Sequence, residues 1–167
     1  MVSRWIGSVA VGLVVLLGAT GCSFITPQGT TTEYGAGVGV NVDGVGPLAV
    51  RNVLIVALEN GHRGNLIAAI VNNTAEDHVL HVQVEENSSA DLDILVPAES
   101  TVSFGEKAGL EDPPLIVGLN AIPGSMVPMY FQAGDAPGTL LNVPVLDGCL
   151  DYLKGLEPGG LPNTSGC

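Results

Sequence analysis

Few side chains in this sequence can do chemistry, and their spacing decides what chemistry that would be. The histidines are His62, His78 and His81, and two methionines, Met126 and Met129, stand close together late in the chain. His78 and His81 bracket "HVLH", but that stretch alternates as a strand does, and strand residues three apart point to opposite faces. The same objection meets Met126 and Met129, although the turn "PGSM" can bring Met126 round. Imidazole and thioether together suit Cu(I), so His62, Met126 and Met129 are the candidates for a composite metal site; the expectation is that no metal or other cofactor is held. The carboxylates Glu85, Glu86, Asp91 and Asp93 flank "ENSSAD". They are oxygens of the kind calcium takes, yet they lack the Asp-x-Asp-x-Asp-Gly series of a calcium loop, and a solvated hairpin tip is expected. No G-x-S-x-G elbow is present to carry a nucleophile. No catalytic residue is assigned, and the chain is expected not to be an enzyme.

The cysteines are Cys22, Cys149 and Cys167. Cys22 closes the opening stretch "MVSRWIGSVAVGLVVLLGATGC". Arg4 precedes an apolar run from Trp5 to Leu17, and Gly18, Ala19, Thr20 and Gly21 follow, the layout of a secretory leader. The run is shorter than the roughly 20 residues a spanning helix needs. "ATGC" resembles the bacterial lipobox, whose last cysteine receives diacylglycerol and becomes the new N-terminus. On that resemblance Cys22 is the lipidation site and the lipid bilayer is the first partner. Several acyl chains hold firmly at about 0.8 kcal/mol per buried CH₂. The expected location is the extracytoplasmic face of a cell membrane. Cys149 and Cys167 can pair as a disulfide in an oxidising compartment or stand as two free thiols.

The elements that must position these residues read as strands. Residues 1–21 are the leader, 22–46 a flexible Gly/Thr-rich tether, 47–147 one domain and 148–167 a tail. "LAVRNVLIVAL", "NLIAAIV", "HVLHVQVE", "LDILV", "TVSF", "LIVGL", "VPMYFQ" and "TLLNVPV" are about eight short β-like runs separated by turn-rich pieces. That spacing predicts an all-β sandwich. Pro128 places "VPMYFQ" at an edge or a bulge. The expected core is Val50, Val53, Ile55, Leu66, Ile70, Leu80, Val82, Val84, Ile94, Val102, Phe104, Ile116, Val117, Tyr130 and Val143. Loss of Arg4 with the leader takes the formal charge from −12 to −13. So acidic a surface excludes nucleic acid as a partner, because binding there depends on cations that neutralise phosphates.

Three soft features, "RNV" in the first long strand, "NNT" before a turn and "VPAES" before a strand, resemble the periplasmic copper chaperones called PCu(A)C. The closer likeness is to actinobacterial lipoproteins that share that domain and lack its metal motif. The resemblance covers roughly residues 45–147 and implies a Greek-key sandwich of immunoglobulin-like or cupredoxin-like type. The family's copper site takes a His or Met, a Met further on and a closing His-x-Met. Here His62 plus eleven is Asn73, His81 plus eleven is Leu92, and no histidine follows His81. The sequence therefore predicts a non-enzymatic binding or structural module, held at the membrane and serving an envelope protein partner. A divergent copper chaperone is the alternative.

Overall fold

The computed structural model describes residues 37–84, 90–105 and 111–159. Cys22, Cys167, Glu85 and Glu86 lie outside the described residues. Nine strands follow in chain order: β1 (Val40–Val42), β2 (Leu48–Ala57), β3 (Arg63–Asn72), β4 (His78–Val84), β5 (Asp91–Val96), β6 (Ser100–Phe104), β7 (Leu115–Val117), β8 (Met126–Ala133) and β9 (Thr139–Leu146). The eight runs read from the sequence are β2 to β9.

The strands pair in the order β5-β4-β8-β9-β2-β3-β6, with β1 on β2 and β7 on β3. They make the two layers of an all-β sandwich of the immunoglobulin-like or cupredoxin-like kind. One layer holds β1, β2, β3, β6 and β7, and the other β4, β5, β8 and β9. Strand β9 belongs to both. It pairs antiparallel with β8 from Met126↔Pro144 to Phe131↔Thr139, then runs parallel to β2 at Ile55↔Val145 and Val56↔Leu146. This crossing nearly closes the sandwich into a barrel.

Alternation explains which side chains fill it. In β4, Leu80, Val82 and Val84 point inward, and in β8 Val127, Met129, Phe131 and Ala133 do. Two expected core residues are corrections. Val117 is 55% exposed because its neighbour Ile116 takes the inward position in β7. Tyr130 lies between inward Met129 and Phe131 and therefore faces out. Pro128 is not on an edge strand, since β8 runs between β4 and β9. It sits one residue outside the β4 register, which ends at Val84↔Met129, so its missing N–H interrupts no described β4 ladder bond.

Strand β2 carries an unbroken apolar run because both its faces are covered. Val53, Ile55 and Ala57 enter the main core, while Leu54 and Val56 join Ile67 in a second cluster capped by Leu153 and Leu156. Asn65 Nδ2 fixes the cap by donating to the Leu156 carbonyl at 2.9 Å. The stretch expected to be a tail is thus docked on the domain as far as its buried residue Glu157.

The expected tether also differs at its end, since residues 40–42 are β1. The alternation "VGVNV" carried that signal, masked by glycine. Arg51 Nη1 donates to the Val42 carbonyl at 3.3 Å and to Asp43 Oδ1 at 3.1 Å. Asn52 accepts from the Gly39 amide, and its own amide donates to Asn41 Oδ1, both at 3.0 Å. Asn52 has φ of 51° at the bulge between Arg51 and Leu54, a conformation asparagine tolerates better than most residues. "RNV" is the receptor for β1.

Candidate functional site

The outer face of β4, β5 and β8 gathers polar side chains that the core does not need. In β4 these are His81 and Gln83, in β5 Asp91 and Asp93, and in β8 Tyr130 and Gln132. Register places His81 opposite Asp93 on one side and Gln132 on the other, and Gln83 opposite Asp91 and Tyr130. The result is a grid two residues deep and three strands wide. Its spacings are about 4.8 Å across strands and about 7 Å along them. Val82 and Leu92 line the same groove, whose cavity is about 360 Å³.

The grid is held by its own hydrogen bonds. His81 Nδ1 lies 2.6 Å from Asp93 Oδ1, with the side chains 50% and 70% exposed. A carboxylate only accepts, so Nδ1 carries the proton in this bond. Gln132 Nε2 donates to the Ala136 carbonyl at 3.0 Å, and the Tyr130 hydroxyl donates to the Pro137 carbonyl. Both bonds draw the β8–β9 turn against the grid. Gly138 makes this approach possible: its φ is +75°, and a Cβ there would stand 2.5 Å from the Tyr130 hydroxyl.

The residues singled out from the sequence are scattered by comparison. His62 is exposed at the β2–β3 turn, where its carbonyl accepts from the Gly118 and Leu119 amides. Met126 is 55% exposed and Met129 is fully buried in the core, so the two thioethers face opposite sides of β8. His78 and His81 are separately engaged, His78 Nε2 with Thr74 Oγ1 at 2.9 Å and His81 with Asp93. Among the described residues no three His, Cys, Asp or Glu side chains come together as a metal site would require. Cys149 is disulfide-bonded, and its amide donates to Asp147 Oδ1 at 3.1 Å.

Sequence reasoning reached four of the six grid residues. The alternation of "HVLHVQVE" put His81 and Gln83 on the outer face, and the carboxylates of Asp91 and Asp93 were noted together. Tyr130 and Gln132 were missed, and the same period in "MVPMYFQA" would have placed them beside the other four.

No family model matches this chain, and no curated protein does. Solved structures do. The copper-bound PCuAC domain from PmoF2 aligns at 16% identity over 65% of this chain and 99% of its own, with a TM-score of 0.46. The apo PCuAC domain from PmoF1 aligns at 16% over 65% and 99%, with 0.49, and the apo PmoF2 PCuAC domain at 16% over 66% and 98%, with 0.48. The likeness concerns the chain path and carries nothing about ligands.

Proposed function

We propose that this protein is a lipid-anchored component of a bacterial envelope that displays a β-sandwich binding module outside the cytoplasm. The observation that carries the reading is the apolar run Trp5–Leu17 closing on Gly21 and Cys22, with Cys22 as the acylated residue. The disulfide at Cys149 supports an oxidising compartment. The polar groove on β4, β5 and β8 supports a binding role, and nothing in its residues pairs a nucleophile with a base. A protein of the same envelope is its expected macromolecular partner.

Replacement of Cys22 by alanine tests the anchor. The variant is expected to accumulate unprocessed or to leave the membrane fraction, and to lose incorporation of labelled palmitate. Membrane retention at the processed mass would sink the reading.

The alternative, a divergent copper carrier, would use His62 and Met126, since Met129 is closed to solvent. Titration with Cu(I) against a competing chelator decides it. Tight one-to-one binding abolished by His62→Ala or Met126→Ala would establish copper handling, and no binding would leave the metal-free module.

A further inference from the structure

We propose that the groove on β4, β5 and β8 takes an organic cation, a small ligand bearing a primary ammonium or guanidinium group. This rests on the reading of the chain as a binding module and names its ligand class.

The hydrogen-bond inventory of the groove points there. His81 Nδ1–H is engaged by Asp93, Gln132 Nε2 by the Ala136 carbonyl and the Tyr130 hydroxyl proton by the Pro137 carbonyl. What those three side chains still offer is the imidazole Nε2, an accepting lone pair while the ring is neutral, an amide oxygen together with the second amide N–H of Gln132, and a phenol oxygen. Asp91 and Asp93 add carboxylate oxygens, and Gln83 adds an amide oxygen and the two N–H groups of its amide. Among the described lining residues acceptors outnumber donors and two of the groups are carboxylates, so the complementary ligand is one that brings N–H donors and positive charge.

Charge agrees. Among the described residues the lining holds two carboxylates and no lysine or arginine, in a chain of net charge −12. An anion is repelled, and a cation meets both carboxylates and the ring of Tyr130, which attracts cations through its quadrupole. Size limits the ligand: about 360 Å³ is at the lower end of small-molecule sites. A neutral saccharide fits less well, because it leaves the two carboxylates without a counter-charge. A metal ion fits less well, because His81 turns Nδ1 toward Asp93 and no three ligating groups converge among the described residues.

The probe is agmatine, which carries an ammonium at one end and a guanidinium at the other. It is titrated into the ¹⁵N-labelled full chain in neutral detergent and followed by amide chemical shifts. Its neutral counterpart 1,4-diacetamidobutane, chitotriose and Zn(II) are titrated in parallel. Agmatine is expected to move the amides of Gln83, Asp91, Asp93, Tyr130 and Gln132. Its affinity should fall about tenfold in the Asp91→Asn/Asp93→Asn double variant and fall with added salt. Agmatine shifts that persist unchanged in that variant, or that diacetamidobutane reproduces, would overturn the proposal. Movement of these amides by chitotriose or Zn(II) but not by agmatine would overturn the cation and leave the groove as a binding site. No movement with any probe would overturn both. The variants replace exposed carboxylates, and their own spectra report that the fold is intact.

Discussion

The side-chain amide of Asn72, at the end of β3, donates to the Pro97 carbonyl at 3.0 Å, in the turn between β5 and β6. The same Nδ2 lies 3.1 Å from the Val96 carbonyl and 2.8 Å from that of Glu76, while Oδ1 accepts from the Thr74 amide and hydroxyl at 2.9 and 2.8 Å. One asparagine thus ties together three chain segments where the two layers meet. Asp77 adds a second tie by accepting from the Ala98 amide at 2.8 Å. "NNT" and "VPAES", far apart in sequence, are two halves of one clasp.

Asn72 is 1% exposed, and its loss removes a donor from the buried contact with the Val96 carbonyl and an acceptor from the Thr74 amide, while the Glu76 and Pro97 carbonyls keep the Thr74 and Ser100 hydroxyls. An unsatisfied buried polar group costs about 1–3 kcal/mol. Asn72→Leu is expected to lower unfolding free energy by about 3 kcal/mol, read as a fall in the urea midpoint at unchanged slope. A loss below about 0.5 kcal/mol would show that the clasp contributes nothing to stability.

The two methionines of β8 should separate sharply. Met129 is fully buried, and truncating such a side chain to alanine costs about 2–5 kcal/mol. Met126 is 55% exposed, and its alanine variant should stay within about 0.5 kcal/mol of the parent. Thermal unfolding of both variants measures the difference. Equal effects would contradict the facing of β8 on which the outward placement of Tyr130 and Gln132 depends.

How much of this was legible in the sequence follows from period and from distance along the chain. Strands β2 to β9 were legible because apolar residues recur at period two, or fill both faces as in "NVLIVA". β1 was not, because glycines diluted its alternation and its partner, Asn52, depends on a bulge that no local pattern announces. Tyr130 was misplaced because a large aromatic reads as core, when the parity set by Met129 and Phe131 sends it outward. The docking of Leu153 and Leu156 was hidden for a different reason: it depends on Asn65, 91 residues away from Leu156. The groove was legible on its β4 and β5 side alone for the same cause, since pairing of β4 with β5 is local while pairing of β4 with β8 is not.

Gly138→Ala tests how the turn shapes the groove. A left-handed φ of +75° disfavours any Cβ, and this one would meet the Tyr130 ring and the Phe131 carbonyl. The variant should lose about 1–3 kcal/mol and swing Tyr130 off the Pro137 carbonyl, changing the tyrosine ring resonances. Ring resonances left unchanged would mean that the Tyr130 position does not depend on this glycine.

The disulfide of Cys149 discriminates the placement of all three cysteines. A Cys22 sulfur acylated with diacylglycerol is a thioether and cannot form a disulfide. The lipoprotein reading therefore requires Cys149 to pair with Cys167, closing the chain around a segment already pinned through Leu153, Leu156 and Asn65. Non-reducing peptide mapping by mass spectrometry should recover a Cys149–Cys167 linked pair together with an acylated Cys22 peptide. Breaking the link with Cys167→Ser should cost about 3 kcal/mol, the value for a loop of this length. A peptide joining Cys149 to Cys22 would rule out acylation of that cysteine, and with it the membrane anchor.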